Sequence, residues 1–132
     1  MSTVKFQSLA PNLVVDDVNK TVAFYTGTLG FSMIASVPES GQWQWAMVMR
    51  DGVTLMFQSL PSIQEDLPGL SIDRKGCMGT FYIGVQSIDE LYKEVQGKVD
   101  IPEDMRTTFY GKREFTIRDI NGYYLTFAQD VS

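Results

Sequence analysis

The residue types that most often carry enzyme chemistry are scarce in this 132-residue chain. It contains no histidine, which removes the commonest metal ligand and the commonest general base together. The single cysteine, Cys77, has no partner for an internal disulfide and no histidine to activate it, so we expect a buried or neutral thiol. Phosphate-binding glycine loops and catalytic triads are absent from the sequence as well. The sequence therefore favours binding over catalysis.

The clearest candidate for a binding surface is an alternating segment in the first half. Between residues 43 and 49 every second residue is a tryptophan or a methionine. Asp51-Gly52 follows as a two-residue hairpin signal, which places Val48 opposite Leu55 on the face that packs against helices. Aromatic and methionine side chains on the other face suit a planar ligand, although core packing against another layer would give the same pattern. That other face carries Trp43, Trp45, Met47, Met49, Thr54, Met56 and Gln58.

The chain is an internal duplication with a spacing of 70 residues. Glycines at positions 27, 41 and 52 recur at 97, 111 and 122, and several apolar positions share this spacing. Glycines mark turns and bulges, so their common spacing implies matching backbone bends in the two halves. By this repeat the second half contributes Phe115, Ile117, Tyr124 and Thr126 to the binding face, and the two leading strands contribute Asn12 and Tyr82.

Hydrophobic periodicity predicts β-α-β-β-β in each half, which is an α+β fold. The first half has strands over 9–15, 31–37, 43–49 and 53–58 and a helix over 18–29. The second half has strands over 80–85, 103–110, 113–118 and 123–128 and a helix over 88–96. Residues 1–132 form one domain, with module one over about 5–60, a connector over 61–78 and module two over 79–130. The connector contains Pro61, Pro68 and Gly69, and linker, lid and intersubunit arm are its three interpretations.

The charge balance limits the partners. A formal net charge of −5 argues against nucleic acid and anionic membranes and favours cationic or neutral small molecules. Residues 1–11 contain no long apolar run and no basic segment, so we expect a cytoplasmic protein without a signal peptide or membrane anchor. Acidic side chains near strand ends could act as a base or bind a cationic ligand, and arginines there could bind an anion, with a solvated surface as the alternative for both. These residues are Glu103, Asp104, Glu114, Arg50, Arg113 and Arg118.

Two motifs carry a resemblance to a known family. The helix segment DVNKTVAFYTGTLGF over residues 17–31 and the turn RDINGY over 118–123 accompany the tandem modules. Together they resemble the vicinal oxygen chelate superfamily, which comprises glyoxalases, bleomycin-resistance proteins and extradiol dioxygenases. The resemblance spans residues 9–129, and it implies a curved mixed sheet around a cavity with the helices on the outer face.

The same resemblance implies where a metal would bind. In metal-dependent members, ligands come from the first and last strands of each half, and those positions here look like Ala10, Met56, Thr80 and Thr126. Alanine has no donor atom, a thioether is soft, and neutral hydroxyls are poor ligands for divalent cations. We therefore expect neither a metal nor another cofactor, and no catalytic residues.

The resemblance is nearest to the metal-free bleomycin-resistance-like branch. It implies a metal-free protein that sequesters an aromatic or cationic small molecule, as in antibiotic resistance. It also implies a homodimer, with domain swapping left open. The expected ligand-binding residues are Asn12, Trp43, Trp45, Met47, Met56, Tyr82, Phe115 and Tyr124. One alternative is a glyoxalase-like lyase, isomerase or dioxygenase with an unrecognised divalent site, for which Asn12 and Gln58 are the donors available. Another alternative is a non-catalytic interaction domain.

Overall fold

The computed structural model describes residues 3–5, 7–68 and 80–131. Cys77 and residues 69–78 of the expected connector lie outside the described residues. The first module consists of β1 (Asn12–Val15), α1 (Val18–Gly27), β2 (Ser32–Val37), β3 (Trp45–Arg50) and β4 (Val53–Ser59). A helix α2 (Leu60–Asp66) follows it. The second module consists of β5 (Thr80–Gly84), α3 (Ile88–Val95), β6 (Asp100–Thr107), β7 (Lys112–Arg118) and β8 (Tyr124–Asp130).

The strands form two four-stranded mixed sheets with matching orders, β1-β4-β3-β2 and β5-β8-β7-β6. The first strand of each module runs parallel to the last, and the other neighbours are antiparallel. The prediction of an α+β fold with two tandem β-α-β-β-β modules is confirmed. The two sheets remain separate and do not close on each other.

Helix α1 begins at a clear sequence signal and presents one apolar stripe. The Asp17 side chain caps its first turn by accepting a hydrogen bond from the Lys20 backbone N–H at 2.9 Å. Val18, Val22 and Tyr25, spaced four and three residues apart, are buried on one side of the helix. The Tyr25 ring lies 4.8 Å from the Phe57 ring of β4. Helix α1 therefore covers one face of the first sheet.

The register of the first module agrees with the sequence prediction. Asp51-Gly52 forms a two-residue turn, with Asp51 in the left-handed region at φ 50°. Val48 pairs with Leu55, and Ala46 pairs with Phe57. All four side chains are buried in the core. The alternate residues of β3 and β4 consequently point to the face that α1 leaves uncovered.

The register of the second module was predicted wrongly for Phe115 and Ile117. Five residues separate the paired residues Arg118 and Tyr124, whereas four separate the equivalent pair, Met49 and Thr54. Because of this extra residue, positions in β7 lie 69 rather than 70 residues after their equivalents in β3. Phe115 therefore corresponds to Ala46, and Ile117 to Val48. A shift of one residue moves a side chain to the opposite face of a strand. Phe115 therefore packs against Tyr92 of α3, with ring centroids 5.2 Å apart.

The turn between β7 and β8 joins the second module to the first. The Tyr25 hydroxyl donates to Asp119 Oδ2 at 2.7 Å, and the Tyr123 hydroxyl donates to the Val14 carbonyl at 2.8 Å. The Asn121 amide donates to the Thr21 hydroxyl at 2.9 Å. Burial, followed by the neighbouring Asp119 carboxyl, raises the pKa of Tyr25 well above 10, so its phenol remains a neutral donor. These buried contacts fix the turn against α1 and β1.

The start of the expected connector is helical. Ser59 caps α2 by accepting from the Ser62 backbone N–H, and Pro61 lies in the first turn, where no backbone donor is needed. Residues 60–66, where the expected connector begins, therefore form helix α2. Within the described parts of the chain, no helix is long and apolar enough to cross a membrane.

Candidate binding site

Each sheet has one face that is covered by α1 or α3 and another, here called the open face, that these helices leave uncovered. On the first sheet the open face carries Trp45, Met47 and Met56, as predicted, and all three side chains are partly exposed. Met47 lies directly opposite Met56. An indole ring beside two flexible, polarisable thioethers makes an adaptable apolar surface. This surface suits a flat apolar group.

Asn12 and Gln58 lie at one end of this open face, where they tie secondary-structure elements together. The Asn12 amide donates to Gln58 Oε1 at 2.8 Å. The Gln58 amide nitrogen donates to the Ser62 hydroxyl at 2.9 Å and to Asp66 Oδ2 at 2.7 Å. These bonds connect β1, β4 and α2. Both amides are thus engaged in holding the end of the sheet and α2 together.

Trp43 lies on the other side of the sheet, so its predicted place beside Trp45 was wrong. Its backbone N–H donates to Asn19 Oδ1 of α1 at 2.8 Å, and its ring packs against the core. Asn19 also donates to the Gly41 carbonyl at 3.0 Å. Regular alternation begins only at Trp45, because Asn19 holds the preceding loop against the helix. The buried Trp43 indole N–H has no hydrogen-bond partner among the described residues.

On the second sheet the open face holds a buried carboxyl group, that of Glu114, for which the sequence left both a binding role and a solvated surface position open. Glu114 is only 3% exposed, and it accepts hydrogen bonds from the hydroxyls of Tyr82 and Tyr110, the latter at 3.0 Å to Oε1. Arg106 Nη2 lies 4.0 Å from the same Oε1. We call these four residues the Glu114 cluster. With the repeat spacing of 69 that the strand registers give for β7, Glu114 corresponds to Trp45.

The carboxyl group of Glu114 controls the ionisation of its two phenol partners. Its hydrogen bond is the largest cause that raises the pKa of Tyr82 from 10 to about 12. The same kind of bond raises the pKa of Tyr110. A phenol that donates to a carboxyl group gives up its proton less readily, because the phenolate would repel that group. The contribution of the Tyr82 bond to stability is therefore present below pH 10 and is lost as the pH rises through about 12.

Replacing Glu114 by glutamine should lower the pKa of Tyr82 from about 12 toward the ordinary value of 10. The measurement is a ¹³C NMR titration of labelled tyrosine ring carbons, with the Tyr82 signal assigned by Tyr82→Phe. At pH 11 we expect Tyr82 to be mostly protonated in the wild type and mostly ionised in the variant. A wild-type Tyr82 that ionises near pH 10 would show that the bond to Glu114 does not exist in solution.

Tyr124 and Thr126 also occupy the open face of the second sheet, in the positions predicted for them. The Tyr124 hydroxyl accepts from Arg118 Nη2 at 2.9 Å, and the guanidinium carbon lies 5.3 Å from the ring centroid. The Thr126 and Thr116 hydroxyls are hydrogen bonded at 2.8 Å. Phe115, which was predicted here, is buried on the opposite face instead. The open face of the second sheet is therefore more polar than that of the first.

The family comparison identifies the fold. The family model described as Glyoxalase/Bleomycin resistance protein/Dioxygenase superfamily matches residues 5–127 of the chain. The chain belongs to this superfamily. A comparison with curated proteins finds no match.

Several solved structures resemble the chain over nearly its whole length. TioX from Micromonospora sp. ML1 superposes with a TM-score of 0.76 at 18% identity, covering 96% of this chain and 100% of TioX. A glyoxalase/bleomycin resistance protein/dioxygenase from Nocardioides gives 0.77 at 20%, covering 98% and 87%. The bleomycin-binding protein of bleomycin-producing Streptomyces verticillus, in complex with copper(II)-bleomycin, gives 0.66 at 24%, covering 98% and 99%. At these identities the likeness concerns the fold.

The residues at the superfamily's metal-ligand positions do not fit a divalent cation. From the resemblance we expected Ala10 to lie beside Met56 and Thr80 beside Thr126. The strand registers instead pair Met56 with Asn12 and Thr126 with Tyr82, each two positions further along its strand. Asn12 is bonded to Gln58, Tyr82 to Glu114 and Thr126 to Thr116, and a thioether is a poor ligand for hard cations. Among the residues that the structure describes, no group of three or more His, Cys, Asp or Glu side chains could hold a metal ion.

Proposed function

We propose that this superfamily member binds a small aromatic or cationic molecule on its open faces and needs no metal ion to do so. The observation that carries the proposal is the Glu114 cluster, which places a buried carboxyl group on the open face of the second sheet. Buried carboxyl groups are rare without a partner, and Glu114 has two neutral phenols and one distant guanidinium around it. A cationic group of a ligand would add the close, charge-assisted partner that Arg106 does not supply at 4.0 Å.

The apolar part of the proposed ligand would contact the open face of the first sheet. Trp45, Met47 and Met56 leave a partly exposed surface that a planar ring could cover, with a gain from both burial and stacking. A bleomycin-binding protein has the same fold, which makes drug sequestration a reasonable class of function here. We include a homodimer in the proposal, with or without exchange of a segment, because a second chain would cover the open faces.

Replacing Glu114 by glutamine should weaken the binding of a cationic heteroaromatic compound about 10- to 100-fold, since a charged hydrogen bond contributes about 1.5–3 kcal/mol. Bleomycin and proflavine are suitable probes, followed by isothermal titration calorimetry. The matched control is Glu90→Gln, which removes the same charge from the first turn of α3. A compound that binds the wild type and Glu114→Gln equally well would show that Glu114 does not belong to the binding site.

The buried Glu114 also favours testing one alternative, a glyoxalase-like lyase, isomerase or dioxygenase with an unrecognised divalent site. Such an enzyme needs several oxygen or nitrogen ligands and a base. The test is elemental analysis of untagged protein purified without chelator, with melting temperatures before and after adding nickel, zinc, manganese and iron(II). We expect no stoichiometric metal and no shift of the melting temperature. A metal ion that bound only the folded state would have to raise the melting temperature, so an unchanged value means that none binds. A shift that Glu114→Gln abolishes would establish the alternative.

A further inference from the structure

The two modules meet through their hairpin turns, and the repeat makes these two contacts equivalent. In one contact the β7–β8 turn packs on β1 and α1, where Tyr123 donates to the Val14 carbonyl and Tyr25 donates to Asp119. Both phenol rings are buried there. Two aromatic side chains of the protein itself thus fill this contact.

In the other contact the β3–β4 turn faces β5 and the start of α3, and a cavity of about 710 Å³ lies between them. Its lining combines polar and charged side chains with apolar ones, which include Phe31, Val53, Ile83, Val85, Leu91 and Phe127. The volume is in the range of sites that hold small molecules. None of these six apolar residues belongs to the open face or to the Glu114 cluster. The lining also includes Ala128, the register partner of Glu114, so the cavity adjoins the second sheet of the site proposed above but has an apolar wall of its own.

The repeat explains why this contact is open. Tyr25 corresponds to Val95 and Tyr123 to Val53, each 70 positions away. The strand registers support this offset, because β1 pairs with β4 as β5 pairs with β8. Both phenol rings of the filled contact are thus replaced by valines. Of these two, Val53 lines the cavity, whereas Val95 is buried in the core, so the ring that is missing beside the cavity is the one at the position of Tyr123.

A hydrogen-bond acceptor is also present at the equivalent place. Val14, which accepts from Tyr123, corresponds to Gly84 at the end of β5. The Val85 N–H bonds to the Ala128 carbonyl across the parallel pair, so the polar groups of Gly84 point to the opposite edge of the strand. Gly84 is itself one of the residues that line the cavity. Val53 has no hydroxyl to donate to this carbonyl.

The two basic side chains at the cavity already have partners. Arg50 Nη1 donates to the Leu29 carbonyl at 2.8 Å, and Lys112 forms an ion pair with Asp130. Asp51 adds a carboxylate to the lining. These charges disfavour an anion as the occupant.

We propose that this inter-module cavity is a second binding site, which takes a neutral phenol whose ring replaces the missing tyrosine and whose hydroxyl donates to the Gly84 carbonyl. The test is a methyl NMR titration with p-cresol and with toluene, which lacks the hydroxyl. We expect saturable shifts of the Val53, Ile83 and Leu91 methyl signals while the Met47 and Met56 methyls stay unchanged. The hydroxyl should make p-cresol bind roughly three- to tenfold more tightly than toluene. No saturable shift at the cavity methyls, or equal affinities, would overturn the proposal.

A variant that restores the ring gives a second test. Val53→Tyr should fill the cavity from within, abolish p-cresol binding and raise the melting temperature by about 4 °C. Val53→Phe should also block p-cresol but raise the melting temperature less, since it cannot reach the carbonyl with a hydroxyl. The control Ile34→Tyr adds the same ring at an exposed position of β2 and should leave p-cresol binding intact. Binding that survives both Val53 variants would exclude the cavity, and if Val53→Tyr fails to fold, the cresol and toluene titrations of the wild type decide.

Discussion

Replacement of Asp119 by alanine is expected to lower the free energy of unfolding by about 4 kcal/mol, because it leaves two buried donors and one partly buried donor without an acceptor. Asp119 is 4% exposed. Its Oδ2 accepts from the Tyr25 hydroxyl, and its Oδ1 accepts from the backbone N–H groups of Asn121 and Tyr123 at 2.8 and 2.9 Å. The side chain thus shapes the β7–β8 turn and joins it to α1. Its removal should loosen both modules at their contact.

Urea denaturation of the purified variants measures this loss. Asp119→Asn keeps an oxygen for the backbone donors and should lose clearly less stability than Asp119→Ala. Asp100→Ala removes an exposed carboxylate that pairs with Arg118 at 3.7 Å, and it should change stability by less than about 1 kcal/mol. Equal, small losses for Asp119→Ala and Asp100→Ala would mean that the turn is not anchored as described.

Replacement of Phe115 by alanine is expected to lower the free energy of unfolding by about 3–5 kcal/mol, the usual cost of removing a buried phenylalanine side chain. Phe115 is 1% exposed, and its ring lies 5.2 Å from Tyr92 and 5.4 Å from Phe127. Alanine at this position leaves a hole between α3 and the second sheet that these rings cannot fill.

The neighbouring Thr116 is the matched control, because it points to the opposite face. Thr116→Ala removes one methyl group and the hydroxyl that is hydrogen bonded to Thr126, so we expect a loss of about 1 kcal/mol. Chemical denaturation of both variants tests the register of β7 directly. A small loss of unfolding free energy for Phe115→Ala would mean that the Phe115 side chain lies on the open face after all.

The first module was predictable in detail because its register is fixed by local chemistry. Asp51-Gly52 specifies a two-residue turn, and that turn determines which residues of β3 and β4 share a face. Trp45, Met47 and Met56 were therefore placed correctly. The second turn contains one more residue, and nothing in its local sequence shows where its strands begin. The error that moved Phe115 to the wrong face also kept Glu114 off the open face, although Glu114 had been named as a possible partner of a cationic ligand.

Other differences arise from contacts between distant parts of the chain. Trp43 continues the alternating pattern in sequence, but Asn19 of α1 binds the loop before β3 and turns this residue toward the core. Gln58 has the chemistry of a metal ligand, yet α2 supplies Ser62 and Asp66 as its partners. Periodicity within one segment contains no information about either contact. The family motifs likewise indicate the fold, whereas the chemistry depends on individual side chains.

The most direct test of the proposed function uses the fluorescence of Trp45 as the sole tryptophan, excited at a wavelength that tyrosine does not absorb. The chain has two tryptophans, so Trp43→Phe leaves only the indole on the open face. The metal-free variant is titrated with a panel of cationic heteroaromatic compounds that includes bleomycin and proflavine. We predict saturable quenching by at least one compound, and a tenfold or larger loss of its affinity when Glu114→Gln is added. Quenching by none of the panel, or only after a divalent metal is supplied, would contradict a metal-free binding site on this face.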